Sequence, residues 1–137
     1  MRIAVLGVGL IGGSIGLAAR RRLGADVIGF DPDSSNLELA LKVGALDHGA
    51  DSILEAVDGV EAVFCAAPVA ELPRLVGGAI AASGPGTVVT DVGSTKLGLV
   101  DAVAGLSGYQ RFIGGHPLAG AETAGVEGSR EDLFEGA

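Results

Sequence analysis

The first sixteen residues, MRIAVLGVGLIGGSIG, restrict the fold more tightly than any other stretch of the chain. Ile3-Ala4-Val5-Leu6 is a short, unbroken apolar run that meets glycine at once. Such a run suits a strand covered on both faces, as in a parallel sheet. Gly7-Val8-Gly9-Leu10-Ile11-Gly12 follows in the pattern GxGxxG and opens a helical stretch. Each glycine has its own physical reason. Gly7 turns the chain sharply off the strand, Gly9 has no side chain to hold a pyrophosphate away from the backbone, and Gly12 lets the helix pack close to the strand. The helix then aims free N–H groups, with about half a positive charge, at the phosphates.

Glycine makes up 24 of 137 residues, so chance alone supplies about 0.7 copies of this pattern and context must decide. A second apolar run, Asp26 to Phe30, ends in Asp31, 19 residues beyond Gly12. That is the place for an acid that accepts hydrogen bonds from a ribose 2′-hydroxyl. The alternative is a glycine-rich helix-packing turn with no ligand. The dinucleotide reading assigns Gly7, Gly9, Leu10, Ile11, Gly12 and Asp31 to the cofactor. A carboxylate at Asp31 repels a 2′-phosphate, and no arginine follows closely in Asp31-Pro32-Asp33-Ser34-Ser35-Asn36. The expected cofactor is therefore NAD rather than NADP.

The length fits one domain, and a hydrophobic fraction of 48% supplies a core. A formal charge of −8 argues against nucleic acid and anionic membranes as partners. The Arg20-Arg21-Arg22 run falls at the end of the first helix, where cations complement the carbonyl end. Cys65, the single cysteine, permits no internal disulfide and sits in an apolar run without the company of a metal site. The chain opens on a strand rather than a signal peptide, and no run reaches transmembrane length. A cytoplasmic location is expected, with no metal.

Read in order, the first helix runs to Leu23 with Ile15, Leu17 and Ala18 inward, and Gly24 ends it. Ser34 or Ser35 caps a second helix that reaches about Val43 before Gly44. Asp47-His48 begins a short strand or loop, and Ser52 caps a brief helix through Val57. Val60 to Ala67 is a strong strand closed by Pro68. Glu71 to Ser83 is helical, and Ser83-Gly84-Pro85-Gly86 is a turn. Thr87 to Asp91 is the next strand, followed by a helix from about Lys96 to Leu106. Arg111 to Ile113 is a last short strand, and Arg130 to Phe134 forms a helical turn. Strands alternating with helices imply right-handed crossovers and an α/β fold of the Rossmann type, a doubly wound parallel sheet. Ligands bind such sheets along the C-terminal strand edge, which places Ala66, Ala67 and Pro68 in the cofactor crevice.

Two loops on that edge carry polar groups suited to chemistry. One is Asp91-Val92-Gly93-Ser94-Thr95-Lys96; the other, Gly114 to Glu122, holds His116. His116 is the best proton acceptor, because an imidazole titrates near neutrality and Pro117 holds its backbone extended. It is equally readable as a structural loop histidine. Ser94 either donates to a substrate hydroxyl or the nicotinamide amide, or caps the following helix. Lys96 reads as structural or solvated. Glu122 is either a gate in the site or a surface acid, and His48 lies in a plain polar turn.

Three pieces together resemble the N-terminal domain of the prephenate dehydrogenase family, which includes arogenate and cyclohexadienyl dehydrogenases. They are Gly7-Val8-Gly9-Leu10-Ile11-Gly12-Gly13-Ser14, Asp91 to Lys96, and Gly114-Gly115-His116-Pro117-Leu118-Ala119-Gly120-x-Glu122-x-x-Gly125. The last is the most specific, and the resemblance covers essentially all 137 residues. It implies oxidative decarboxylation of prephenate to 4-hydroxyphenylpyruvate in tyrosine synthesis, with hydride passing to NAD+. By the same resemblance His116 accepts the proton of the ring hydroxyl, Ser94 contacts that hydroxyl and positions the nicotinamide, and Glu122 shapes and gates the pocket. Ala121 stands where many relatives carry a hydroxyl residue. The family's helical C-terminal domain, which supplies the dimer interface and the basic residues that hold substrate carboxylates, has no counterpart in these residues. The chain thus reads as a single dinucleotide-binding domain, a fragment or truncated form, that binds NAD but turns over prephenate poorly alone; the intact protein is expected to be a homodimer.

Other readings remain open at this point: arogenate as the substrate, a non-catalytic NAD-binding or redox-sensing module, or another hydride-transfer enzyme. A sensor needs the glycine motif and Asp31 but no placed base, and the Gly-Gly-His-Pro loop disfavours the third.

Overall fold

The computed structural model describes residues 1–117 and 125–136. Six strands form one sheet: β1 (Arg2–Leu6), β2 (Asp26–Phe30), β3 (His48–Gly49), β4 (Ala62–Cys65), β5 (Val88–Asp91) and β6 (Phe112–Ile113). They lie in the order β3-β2-β1-β4-β5-β6, and every pairing is parallel. The helices are α1 (Leu10–Leu23), α2 (Ser34–Lys42), α3 (Ile53–Ala56), α4 (Leu72–Ala82) and α5 (Leu97–Val103). The order reverses at β1 and β4, which opens a crevice between their C-terminal ends. Among the described residues no helix is long and apolar enough to cross a membrane.

Alternation along β1 divides the core in two. Ile3 and Val5 face α1 and α2, where they pack with Leu17, Ala19, Val27, Ala40 and Leu46. Ala4 and Leu6 face α3, α4 and α5, with Val63, Cys65, Leu72, Val76, Ile80, Val89, Leu99 and Val103. Burial on both faces explains the unbroken apolar run at the N-terminus.

Helix ends follow local chemistry. Gly24 closes α1 in the left-handed conformation, at φ 64°. All three arginines of the last turn are paired: Arg20 with Asp47 (2.8 Å), Arg21 with Glu131 (3.0 Å) and Arg22 with Glu135 (2.9 Å). Ser52 caps α3 by accepting from the Glu55 N–H. The cap of α2 is Asp33, not Ser34 or Ser35; its carboxylate accepts from the Ser35 hydroxyl and N–H, which holds it below the usual carboxylate range.

Several expected boundaries move. The strand expected over Val60–Ala67 is ordered as β4 only over Ala62–Cys65; the Ala66 N–H still donates to the Leu6 carbonyl at 2.7 Å, and there the Ala66–Ala67 backbone passes close to Gly7. Glu71 belongs to a 3-10 turn (Val69–Glu71) ahead of α4. The helix expected to reach Leu106 stops at Val103, after which Leu106 N–H bonds back only three residues, to Val103 C=O. β6 lacks Arg111, which lies in a preceding 3-10 turn. Its guanidinium instead donates to Ile80, Gly84 and Thr87 carbonyls, capping the end of α4 and the turn after it. On α1 the buried positions are Leu17 and Ala19 with Gly12, Gly13, Ser14 and Gly16, whereas Ile15 and Ala18 are half-buried. The small residues stand where other segments come close: a Cβ on Gly16 would stand 2.2 Å from the Ala45 carbonyl oxygen, in the connection that follows α2. Arg130–Phe134 is not a helical turn; consecutive turns occupy 131–136, with bonds such as Glu135 N–H to Asp132 C=O.

Candidate active site

The glycine loop folds as its chemistry requires. Gly7 has φ 94°, and a Cβ there would stand 2.9 Å from the backbone of Ala66 and Ala67. A Cβ on Gly12 would meet the Gly7 carbonyl oxygen at 2.0 Å. Gly9, the N-cap of α1, is the opposite case: among the described residues no atom lies within 4 Å of where its Cβ would be. No side chain caps α1, and its first turn carries no acid. The first two glycines of the contrast serve packing, and the third leaves space where an anion meets a helix N-terminus.

Asp31, at the end of β2, faces this loop. Its Oδ2 accepts from the Val8 N–H at 2.8 Å, and its Oδ1 accepts from the Asp33 N–H (2.9 Å) and Asn36 Nδ2 (3.3 Å). A cavity of about 320 Å³ opens between the two strand ends, lined by Gly7, Gly9 and Asp31 on one side and Ala66, Ala67 and Pro68 on the other. Leu10 and Ile11 lie in the first turn of α1, half-buried, and do not line that cavity. The open backbone at Gly9, the bare helix terminus and the carboxylate at the β2 end fit the pyrophosphate and adenosine ribose of a dinucleotide.

A second cavity, about 480 Å³, lies at the ends of β5 and β6. Its lining includes Phe64, Thr90, Asp91, Gly115, His116 and Pro117. His116 is exposed, and it borders this cavity rather than the first. Ser94 is exposed on the neighbouring loop and lines neither cavity. It does not cap α5, whose N-cap position is Lys96 and whose first N–H groups no side chain accepts from. Glu122 lies outside the described residues. His48 is at the opposite edge, in β3, with Nε2 3.1 Å from Asp26 Oδ1.

One site residue escaped the sequence reading. The Asp91 carboxylate, at 1% exposure, accepts from Gly93 N–H (2.9 Å), Gly115 N–H (3.2 Å) and Lys96 Nζ (2.7 Å). Lys96 also donates to the Gly93 carbonyl. Lys96 is therefore an internal ion-pair partner rather than a solvated residue. The available signal was an acid closing an apolar strand, a position where burial demands partners. In the adjoining strand β4, burial pushes the Cys65 thiol up to about 12, and the negative charge of Asp91 adds to the shift.

Fold and cavity together define a Rossmann-type nucleotide-binding domain. Residues 15–137 match the family described as "Prephenate dehydrogenase, nucleotide-binding domain". The prephenate dehydrogenase of Bacillus subtilis (strain 168) is 41% identical over 139 aligned residues, which cover 98% of this chain and 37% of that protein. Among solved structures, prephenate dehydrogenase from Aquifex aeolicus, in complex with hydroxyphenyl propionate and NAD+, superposes with a TM-score of 0.88 at 31% identity, over 99% of this chain and 48% of that one. Synechocystis arogenate dehydrogenase gives 0.84 at 31%, over 98% and 47%. The chain belongs to the prephenate dehydrogenase family, as its nucleotide-binding domain. It spans between about a third and a half of the length of these relatives.

Proposed function

We propose that this chain is the NAD-binding part of an enzyme that oxidatively decarboxylates prephenate to 4-hydroxyphenylpyruvate in tyrosine biosynthesis. The observation that carries the reading is the placement of His116: it borders a cavity at the same sheet edge as the dinucleotide cavity, yet separate from it. An enzyme that passes electrons from a ring substrate to a dinucleotide needs two adjoining compartments with a base in the second.

Gly7 and Gly9 admit the pyrophosphate, Asp31 accepts from the ribose hydroxyls, and Ala66, Ala67 and Pro68 leave room beside them. Leu10, Ile11 and Gly12 contribute the helix terminus behind the pyrophosphate. When bound, NAD+ would supply the acceptor for the hydride of the ring carbon that bears the hydroxyl. As that carbon is oxidised its hydroxyl becomes acidic. His116 accepts the proton, and Ser94 donates to the same oxygen and orients the nicotinamide. Glu122 shapes and gates the pocket. The C–C bond to the ring carboxylate then breaks, carbon dioxide leaves, and the bonding pair shifts through the ring to the carbonyl oxygen, which takes the proton back from His116 as the ring becomes aromatic. A placed base accelerates such a step by about 10² to 10⁴.

The test uses the protein expressed from its complete gene, with NAD+ and either prephenate or arogenate, following reduced nicotinamide. Turnover of prephenate supports the reading. Arogenate is the competing substrate, since the chain is 31% identical to both a prephenate and an arogenate dehydrogenase of known structure. His116→Asn should cut turnover by about 10² to 10⁴ while NAD+ still binds; unchanged turnover removes His116 from the mechanism. The intact enzyme is proposed to be a cytoplasmic homodimer that pairs through a helical domain beyond these residues, and its mass in solution tests the pairing.

A further inference from the structure

We infer that Asp91 is a positioning residue: one buried carboxylate that sets the Ser94 loop and the His116 loop in register with each other. The inference rests on the reading that those two loops act on the substrate. The loops come from different crossovers, and β5–β6 pairing extends only from Val89–Phe112 to Thr90–Ile113. Past Ile113 no strand pairing holds the His116 segment. Asp91 stands at the last position of β5, where the two loops part. Oδ2 takes the Gly93 N–H and Lys96 Nζ of the first loop; Oδ1 takes the Gly115 N–H, immediately before His116. Each oxygen thus serves one loop, and a rigid carboxylate links them.

The surroundings are built to that end. A Cβ on Gly115 would stand 2.7 Å from the Asp91 carbonyl oxygen, and one on Gly93 would stand 2.5 Å from Leu72 Cδ1 and 3.1 Å from Asp91 Oδ2. Side chains at either position would push a loop off the carboxylate. Lys96, with its side chain 29% exposed, balances a carboxylate that is fully covered. A buried charge with three donors is over-determined in position, which suits a residue that orients others. Three donors from the two loops hold it, so its part is to orient those loops.

Asp91→Asn removes one acceptor and the ion pair, so Asp91→Asn/Lys96→Met is made beside it to avoid an unpaired buried ammonium. Amide hydrogen exchange is read in the enzyme from the complete gene, without ligands. Exchange across 92–97 and 113–117 should both rise about tenfold in each folded variant, while β1 and α1 are unchanged. A rise in one loop only, or in neither, overturns the inference. In turnover assays Asp91→Asn should lose about 10²-fold in kcat, with the dissociation constant for NAD+ within about threefold. In a His116→Asn background the same change should cost less than about threefold, because its effect runs through His116. An equal loss in both backgrounds marks a general structural role and overturns it. If the wild-type enzyme turns over neither prephenate nor arogenate, the functional reading falls, and the exchange data still decide whether Asp91 holds both loops.

Discussion

At Asp31 the discrimination between cofactors comes down to one carboxylate whose direction is fixed by three donors, from Val8, Asp33 and Asn36. It can accept from a ribose hydroxyl and must repel a phosphate in the same place. NAD+ should bind at least about tenfold tighter than NADP+, and Asp31→Ala should weaken NAD+ by about tenfold, near 1.4 kcal/mol. Titration calorimetry checks both, and equal or tighter NADP+ binding refutes the first. The placement of Asp31 beside the glycine loop was legible because it closes the strand next to the one that carries the motif. Asp91 was not, because one of its three donors comes from Gly115, which only the fold brings near. Cys65 yields a prediction of another kind. Its buried thiol titrates near 12 rather than 9.0. Below 9.0 both folded and unfolded chains keep the proton; above it the unfolded chain loses it first. Stability should therefore fall as pH climbs from 9.0 toward 12, by up to about 1.4 kcal/mol per pH unit. Urea unfolding of wild type and Cys65→Ala across that range should show a shallower decline in the variant.

Among the elements, α1 joins the cofactor loop to the end of the chain. Ser129 Oγ donates to the Leu10 carbonyl at 3.2 Å, the Arg130 N–H donates to Ser14 Oγ at 3.0 Å, and Val126 is buried against the same helix. This explains Gly13 and Ser14, which the GxGxxG argument left without a role. A Cβ on Gly13 would stand 2.1 Å from Ser129 Oγ and 2.8 Å from Val126 Cγ2. Gly13→Ala should cost about 1–3 kcal/mol by overpacking, and Ser129→Ala in the same chain should recover part of it. An unchanged urea midpoint in Gly13→Ala sinks the argument. Elements in this fold were readable where burial writes a pattern: a short apolar run for β1 and β2, covered on both faces, and a helical period for α4. They were misread where long-range docking decides: nothing near Arg130 tells of Ser14, so the segment expected as a helical turn is instead held by contacts to α1 and by the Arg21 and Arg22 ion pairs.

For the molecule as a whole, charge separates what these residues can do from what they cannot. The dinucleotide cavity draws its described lining from Gly7 to Leu75, and Arg74 contributes a cation to it. The second cavity is lined by Ile15, Phe64, Thr90, Asp91, Val92, Gly115, His116, Pro117 and Phe134, with no lysine or arginine among them. Residues 118–124 add neither. Prephenate carries two carboxylates, and a protein with a formal charge of −8 repels them unless cations are placed at the site. The chain of 137 residues should therefore bind NAD+ by itself, gaining about 2.7 kcal/mol at a hundredfold excess over the dissociation constant. Its turnover of prephenate should still be at least about 10²-fold below that of the complete gene product, because binding energy from the carboxylates is missing at the reacting carbon. Thermal unfolding with and without NAD+ checks the first half, and steady-state kinetics of the two proteins check the second. Turnover equal to that of the complete protein would mean that His116 and its cavity suffice, and that cations beyond these residues have no part in holding the substrate.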